Sequence, residues 1–491
     1  METRDPDPMS HSDAPATPDT GASTDFPDTA AFPATTATPA TAASPATVAP
    51  STPDVDAEPA APRRSYGLPT VFVLLAAFTA FAVYRIMSAP DDHALKWRVP
   101  LDLAIYRLGG EKVAEGLPLY DGPLLVNLPF TYPPISGLIF SWMDALSDNV
   151  LIGLWQIGGM VALAWIVAMI FRERGMGVSV WTILAAVVFS TATVATEPIH
   201  GTLFFGQINI FLMLLVSFDF LPRKFRLPGI GTGLAAGLKL TPAYLGLVFL
   251  FQKRWWAAAG SVLTFAVTVV VGMLFVRDGG EFWRSAIFDS SRIGEHSNLG
   301  AQSLRSILYR YAGIDGGPVW LLCVAGTFAV TCAAVFVAVR RGNRSVAMAL
   351  TGVSACLVSP FSWYHHWVWI IPLAACVFAA VNRALGPRFD RAMGIFGAQL
   401  AGLLSLAAAM FVLIPFVNVR VWDLMSYRGT THIDFAQPWI QCLFTLTGLA
   451  FIVLYALSGL FGLGGGKGHG KAHSDARGDD PAAAATDAAG F

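Results

Sequence analysis

The sequence predicts an all-α polytopic membrane protein. Of its 491 residues, 54% are hydrophobic and only 13% are charged, and the mean hydropathy is +0.56, values outside the range of water-soluble chains. Many apolar runs approach the roughly 20 residues that a helix needs to cross the hydrocarbon core of a bilayer. The net charge of −1 gives no general attraction to nucleic acid, which argues against a DNA-binding role.

Two polar tails flank the apolar part of the chain. Residues 1–62 are rich in Pro, Ala, Thr, Ser and Asp, a composition that cannot bury enough apolar surface to fold. Residues 464–491 form a second tail of low complexity. We expect both tails to be disordered and cytoplasmic, with a transmembrane domain at 63–463. The first apolar run follows Arg63 and Arg64 and is expected to be a retained span rather than a signal peptide.

Ten to twelve membrane spans are predicted. A shorter run at 345–358 is expected to cross as well, whereas 133–146 and 229–251 are ambiguous because the first opens with two prolines and Lys239 and Pro242 interrupt the second. The clear candidates are 68–88, 150–170, 178–197, 203–221, 255–276, 318–339, 366–382, 392–416 and 438–462.

The basic residues favour cytoplasmic termini, because Lys and Arg are retained on the cytoplasmic side of short loops. Arg63-Arg64, Arg340-Arg341 and Lys467 all agree with this orientation. The loops that it places outside are 89–132, 277–317, 359–365 and 417–437.

The first outer loop contains candidate site residues. Asp102 follows the first span and begins an amphipathic stretch, a position from which a carboxylate can face a cavity at the membrane surface. Tyr106 and Tyr132 could stack on sugar rings, or could anchor the chain at the level of the lipid headgroups.

A second candidate cluster contains Trp363, His365 and His366, which lie between two apolar runs at the same predicted surface. Adjacent imidazoles could bind a phosphate through N–H donors or exchange protons near neutral pH; the alternative is a pair of hydrogen-bonded interfacial residues. Neither an H-x-x-x-H nor a D-x-D motif accompanies them, so no metal site is predicted.

Polar side chains inside or near apolar segments form a third group. Lys239, in the stretch G-L-K-L-T-P, could bind a phosphate in a cavity or extend its ammonium to the nearer interface. Gln207 and Asn209 could donate to hydroxyl groups or link helices. In the loop 277–317, Gln302 and Arg305 belong to a Q-S-L-R stretch, and Arg305 could bind a phosphate bidentately or be a solvated loop charge.

Taken in order, these motifs resemble glycosyltransferase family 87, the actinobacterial membrane mannosyltransferases. The resemblance runs from about Leu68 to about Leu463 and rests on the order and spacing of short motifs. These motifs are D-L-x-x-Y, G-x-P-L-Y, F-x-Y-P-P, G-Q-x-N, G-L-K-x-x-P, Q-S-L-R and S-x-x-S-W-x-H-H. The resemblance implies a GT-C-type bundle of about 10–12 transmembrane helices with extracytoplasmic catalytic loops.

The resemblance also implies an activity at the outer face of the plasma membrane. Such enzymes transfer mannose, with inversion, from polyprenyl-phosphate-mannose to a phosphatidylinositol mannoside or a lipid-anchored mannan, and form α-1,2 linkages. The family's essential aspartate maps onto Asp102, which would deprotonate the acceptor hydroxyl. His365 or His366, with Lys239 and Arg305, would neutralise the leaving phosphate. The residues expected to contact the sugar or the acceptor are Tyr106, Tyr132, Gln207, Asn209, Gln302 and Trp363. A lipid-linked donor requires neither a metal nor a cofactor.

Three other functions are alternatives to this interpretation. Some members of the family are arabinofuranosyltransferases that use a polyprenyl-phosphate pentose, but the W-Y-H-H stretch resembles the mannosyl members. A multispan transporter would have a similar number of helices, yet the sequence has no evident internal repeat. A non-enzymatic scaffold would carry its partner-binding segments in soluble tails, and the tails here are of low complexity.

Overall fold

A computed structural model describes residues 65–87, 97–221, 227–417 and 442–462. The predicted tails at 1–62 and 464–491, and nearly all of the predicted outer loop at 417–437, lie outside the described residues. Within those ranges the chain is almost entirely helical, and a single short antiparallel hairpin joins β1 (Pro123–Leu125) to β2 (Leu128–Pro129).

The helices, in chain order, are α1 (Leu68–Met87), α2 (Leu101–Ala114), α3 (Pro134–Phe140), α4 (Asp148–Glu173), α5 (Val180–Ala192), α6 (Glu197–Phe205), α7 (Asn209–Phe220), α8 (Ile230–Leu238), α9 (Gly246–Phe251), α10 (Trp255–Phe275), α11 (Gly279–Arg284), α12 (Leu304–Ala312), α13 (Gly317–Arg340), α14 (Arg344–Val358), α15 (Ile370–Leu413) and α16 (Leu443–Gly462). Short 3₁₀ turns lie at Ser141–Ala145, Thr193–Ala195, Thr241–Leu245, Ala286–Phe288, Ser290–Arg292, Tyr364–Trp369 and Ile414–Phe416.

Six helical segments of the described chain are long and apolar enough to cross a membrane. They are Leu68–Arg85, Asp148–Glu173, Trp255–Phe275, Gly317–Arg340, Tyr364–Phe416 and Leu443–Phe461. Shorter apolar helices lie at Val180–Ala195, Thr241–Phe251 and Arg344–Val358. The prediction of an all-α polytopic membrane protein is therefore confirmed, and a total of ten to twelve spans requires that some of these shorter helices also cross.

The predicted span at 203–221 is not one continuous helix. The structure has two helices here, α6 and α7, with a bend of 115° between them. Gly206 ends α6 in the left-handed region, at φ 70°, a conformation that glycine adopts without steric cost. Gln207, which directly follows Gly206, is one of the residues that line the cavity described below.

Neither ambiguous segment forms one continuous span. Residues 133–146 contain only α3 and a following 3₁₀ turn. Residues 229–251 contain α8, a 3₁₀ turn and α9, and Lys239 lies at the first break with extended backbone angles of φ −153° and ψ 127°. The interruption expected from Lys239 and Pro242 is present.

The segment that contains α15 reverses direction at Gly394, where φ is 57° and ψ is −138°. A Cβ added to Gly397 would lie 2.0 Å from the carbonyl oxygen of Phe389, whereas eight residues of straight helix span about 12 Å. The predicted spans 366–382 and 392–416 are therefore two separate arms of this segment.

The centre of the bundle is α14, whose residues from Ser345 to Leu357 are all buried. A helix that is buried on every side needs neighbours all around it, and α13, α15 and α16 supply them. Near one end of α14, α6 packs against the 3₁₀ turn Tyr364–Trp369, and α2 packs against α3. These contacts bring the start of α2, the α6–α7 bend and the histidine turn to one cavity.

Candidate active site

A cavity of about 410 Å³ lies where these elements meet. Its wall includes the start of α2, the segment 128–133, the α6–α7 bend, the break after α8, and the loop segments 286–293 and 359–366. The predicted site residues that line it are Asp102, Tyr106, Tyr132, Gln207, Lys239, Trp363, His365 and His366. Residues far apart in the sequence therefore share one chamber.

Asp102 lies in the first turn of α2, after Pro100. Burial raises the pKa of its carboxyl group from 3.8 to about 6, against the opposing effects of a hydrogen bond from Gln207 and the charge of Lys239. A carboxylate with this pKa is ionised at neutral pH and is a stronger base than an ordinary aspartate. The position and the pKa both suit a general base.

Gln207 connects Asp102 to the rest of the cavity. Its Nε2 donates to Asp102 Oδ2, and its Oε1 accepts from Tyr132 OH at 3.1 Å and from Lys239 Nζ at 3.5 Å. The Tyr132 hydroxyl in turn lies 2.7 Å from the hydroxyl of Tyr106. One buried amide thus fixes the direction of the carboxylate and links it to the cavity's ammonium group.

Lys239 extends its ammonium group into the cavity and is surrounded by neutral partners. Nζ lies 3.3 Å from Tyr132 OH, 3.0 Å from Asn209 Oδ1 and 3.2 Å from His366 Nε2. In the described part of the chain, no ion pair joins Lys239 to a carboxylate. A cation that is held by neutral groups keeps most of its charge available to an anion.

The two histidines differ in their surroundings. His366 Nδ1 accepts from the backbone N–H of Trp363 at 3.2 Å, which leaves Nε2 to carry the proton of the neutral ring. His365 is only 4% exposed, and neither of its ring nitrogens bonds to another described residue. Its backbone carbonyl is held instead, by Asn209 Nδ2 at 2.9 Å and Thr202 Oγ1 at 3.1 Å.

Asn209 therefore has a positioning role, in addition to any contact with a sugar. It does not line the cavity, but it joins Lys239 and the histidine turn through its two amide atoms. For Gln207 and Asn209, the sequence left open whether they bind hydroxyl groups or link helices, and the structure shows that both link elements around the cavity.

Arg305 and Gln302 lie away from the cavity wall. Arg305 Nε pairs with Asp315 at 2.8 Å, and its guanidinium stacks over Trp320. The side chain of Gln302 donates to the Leu299 carbonyl at 2.8 Å, and its backbone N–H donates to Ser362. The structure thus does not bring Arg305 or Gln302 to the cavity that contains Lys239 and the two histidines, because local partners hold both side chains.

Arg292 lines the cavity, although no sequence motif pointed to it. It ends the 3₁₀ turn Ser290–Arg292, within a loop whose recognisable motif, Q-S-L-R, comes ten residues later. The sequence shows it only as one of five arginines in the predicted outer loop 277–317. Asp121 and Glu295, two other carboxylates of the predicted outer loops, are exposed and are not among the residues that line the cavity.

No group of three or more His, Cys, Asp or Glu residues capable of holding a metal ion occurs within the described ranges. The polar groups of the cavity are instead two carboxylates, two cations, two imidazoles, one amide and several hydroxyls. This set can accept a proton at one point and stabilise an anion at another.

Comparison with known proteins identifies the family. The sequence profile described as Glycosyltransferase family 87 matches residues 130–360, a range that contains Gln207 and Lys239 but not Asp102 or the histidine pair. No solved structure matches the chain with significance.

Characterised relatives match over longer ranges. The chain is 31% identical over 368 residues, 72% of its length and 85% of the relative's, to a polyprenol-phosphate-mannose-dependent α-(1-2)-phosphatidylinositol pentamannoside mannosyltransferase of Mycolicibacterium smegmatis. It is 32% identical over 295 residues, 55% of its length and 68% of the relative's, to a polyprenol-phosphate-mannose-dependent α-(1-2)-phosphatidylinositol mannoside mannosyltransferase of Mycobacterium tuberculosis. The predicted resemblance is confirmed, and a transporter or a scaffold no longer fits. The chain is a membrane-embedded glycosyltransferase and belongs to glycosyltransferase family 87.

Proposed function

We propose that this enzyme transfers mannose from polyprenyl-phosphate-mannose to a phosphatidylinositol mannoside or a related lipid-anchored mannan, and that it forms an α-1,2 linkage. The printed functions of the relatives support the donor, the linkage and the acceptor class. The observation that carries the proposal is the single cavity in which a carboxylate faces an ammonium–imidazole pair across one bridging amide.

In the proposed reaction, Asp102 is the general base. It removes the proton of the acceptor hydroxyl as the hydroxyl oxygen attacks C1 of mannose from the face opposite the phosphate. The new bond joins this oxygen to C1, the bond from C1 to the phosphate oxygen breaks, and polyprenyl phosphate leaves with the electron pair. One displacement inverts the configuration at C1, so a β-linked donor gives an α-linked product.

Lys239 and His366 are proposed to stabilise the leaving phosphate. The proton on His366 Nε2 and the ammonium group of Lys239 are both donors, and their nitrogens lie 3.2 Å apart. Two facing donors are best satisfied by an anionic oxygen that both can reach, and such preorganised donors lower the energy of a transition state in which negative charge grows. The ring nitrogens of His365, which bond to no other described residue, offer a further contact to the phosphate or to a sugar hydroxyl.

Tyr106, Tyr132 and Trp363 complete the proposed sugar site. Tyr106 and Tyr132 present adjacent hydroxyls, and the indole of Trp363 is part of the same cavity wall. Aromatic faces and hydroxyls are suited to a pyranose ring, which has both apolar faces and polar edges.

We also place the reaction on the outer face of the plasma membrane, with both termini cytoplasmic. The distribution of Lys and Arg favours external loops at 89–132, 277–317 and 359–365, and Asp102, Arg292 and Trp363 from these three loops line the same cavity. An extracytoplasmic site agrees with a lipid-linked donor, which needs no nucleotide sugar outside the cell.

Transfer of radiolabelled mannose tests this proposal directly. Membranes that contain the protein should move label from polyprenyl-phosphate-mannose to added phosphatidylinositol mannoside, and an exo-α-1,2-mannosidase should release the label from the product. Membranes without the protein are the control. Transfer from polyprenyl-phosphate-arabinose but not from the mannose donor would replace the proposal with the arabinofuranosyl alternative.

A further inference from the structure

The loop residue Arg292 lines the cavity and has no carboxylate partner among the described residues. Its NH2 donates weakly to the carbonyl of Phe130, at 3.3 Å, and its guanidinium lies 6.0 Å from the centre of the Tyr120 ring. In the described ranges no ion pair includes Arg292. By contrast, Arg107 pairs with Asp148 and Arg305 pairs with Asp315.

Asp289 and Glu295, each three residues from Arg292 in the sequence, form no ion pair with it in the described ranges. Asp289 also lines the cavity, but its carboxylate accepts hydrogen bonds from the backbone N–H and the hydroxyl of Ser291. Ser290, at the start of the same turn, accepts from Arg305. Arg292 is thus the cation of this loop that remains available to a ligand in the cavity.

Arg292 and Lys239 are attached to different parts of the same wall. Lys239 contacts the hydroxyl of Tyr132, whereas Arg292 contacts the carbonyl of Phe130 and the ring of Tyr120. The hydroxyl of Tyr120 donates to the Tyr132 carbonyl at 2.7 Å, which holds the tyrosine ring in place. The cavity therefore has two cationic points, and Arg292 lies away from the His366 contacts.

The exposed residues beside Arg292 are of the types found at the depth of the lipid headgroups. Phe288, at the end of the preceding 3₁₀ turn, is 80% exposed, and Ile293 is 40% exposed. Exposed aromatic and aliphatic side chains beside a basic residue are typical of a surface that meets the membrane interface. At this depth a membrane lipid holds its phosphate.

We propose that Arg292 binds the phosphodiester of an anionic glycolipid acceptor at the mouth of the cavity. This inference rests on the proposed function and adds a recognition site for the acceptor. A guanidinium can donate two parallel hydrogen bonds to a phosphodiester, and the bond would hold the acceptor lipid while its mannose reaches Asp102. The donor also contains a phosphodiester, so the test must separate the two lipids.

The test compares two acceptors in initial-rate assays with polyprenyl-phosphate-mannose. One is phosphatidylinositol mannoside, and the other is mannosyl diacylglycerol, which has mannose and acyl chains but no phosphate. Arg292→Ala should raise the KM for the phosphate-bearing acceptor roughly ten- to a hundredfold, as expected for the loss of a charged hydrogen bond. The KM for the neutral acceptor and the KM for the donor should remain unchanged.

Two further variants make the comparison specific. Arg292→Lys should recover part of the affinity, because a lysine retains the charge but not the bidentate geometry. Arg284→Ala is the matched control, since Arg284 is an exposed arginine nearby that does not line the cavity. It should behave like the wild type with both acceptors.

Several outcomes would overturn the inference. These are an unchanged KM for phosphatidylinositol mannoside in Arg292→Ala, an equal rise with both acceptors, or a rise in the donor KM, which would assign Arg292 to the donor phosphate. If Arg292→Ala does not accumulate in membranes, the two acceptors are compared with the wild-type enzyme. Its KM should be lower for the phosphate-bearing acceptor than for the neutral one, and equal KM values would refute the site. Failure of the wild type to transfer mannose at all would instead refute the proposed function.

Discussion

Replacing Gln207 with alanine should move the acid limb of the pH–rate profile to higher pH. In the wild type, burial holds the pKa of Asp102 at about 6, and the hydrogen bond from Gln207 lowers it against that effect. A general base works when it is ionised, so activity should fall as the pH drops below this pKa. Loss of the hydrogen bond removes a stabilising contact from the ionised form, and the pKa must then rise.

The size of the shift follows from the contact. A hydrogen bond to a charged group contributes about 1.5–3 kcal/mol, and one pKa unit corresponds to about 1.4 kcal/mol. The pKa of Asp102 should therefore increase by about one to two units in Gln207→Ala. At pH 7 the ionised fraction of Asp102, and the part of the rate that depends on it, should fall about two- to tenfold. Near pH 9 most of this ionised fraction should be restored.

The assay is kcat/KM for mannosyl transfer between pH 5 and pH 9, in membranes that contain equal amounts of each variant. Asn209→Ala is the matched control, because Asn209 contacts Lys239 and the carbonyl of His365 but not Asp102. It should lower the rate without moving the acid limb. A Gln207→Ala profile with an unshifted acid limb would refute the assignment of that limb to Asp102 and the orienting role of Gln207.

Two other predictions concern charge and topology. Lys239→Ala and Lys239→Gln should each reduce kcat roughly 10²-fold or more, because the cation beside the leaving phosphate is lost. Lys239→Arg should recover part of the rate. Equal rates in all three variants, measured at saturating donor, would show that Lys239 does not act through its charge. A topology reporter fused within 277–317 should lie outside the membrane, and a reporter fused after Arg341 should lie in the cytoplasm. If reporters place the loops of Asp102 and His365 on opposite sides of the membrane, the two residues cannot share one site.

The apolar segments of this protein could be located from the sequence because hydrophobicity is a local property of side chains. The path of the chain between them could not. The bend at Gly206 and the reversal at Gly394 depend on backbone angles of φ 70° and 57° that neighbouring elements select. For this reason the break within the predicted span 203–221, whose first residues belong to α6, was not predicted.

Residues that line the cavity could be predicted where they belong to a sequence motif that differs from the surrounding apolar residues. A lysine in an apolar segment and an amide pair after a glycine are costly in a membrane, so Lys239 and Gln207 could be recognised before the fold was known. Loop arginines carry no such signal. The structure distinguishes Arg305 from Arg292 through the partners of Arg305, Asp315 and Trp320, which hold its side chain away from the cavity.

The central claim is that Asp102 is the general base, and Asp102→Asn tests it most directly. Asparagine keeps the size of the side chain but cannot accept the proton, so transfer should slow by roughly 10²–10⁴-fold. The variant should accumulate in membranes at the wild-type level and should still bind a non-transferable analogue of polyprenyl-phosphate-mannose. Near wild-type transfer of radiolabelled mannose by Asp102→Asn would contradict the account.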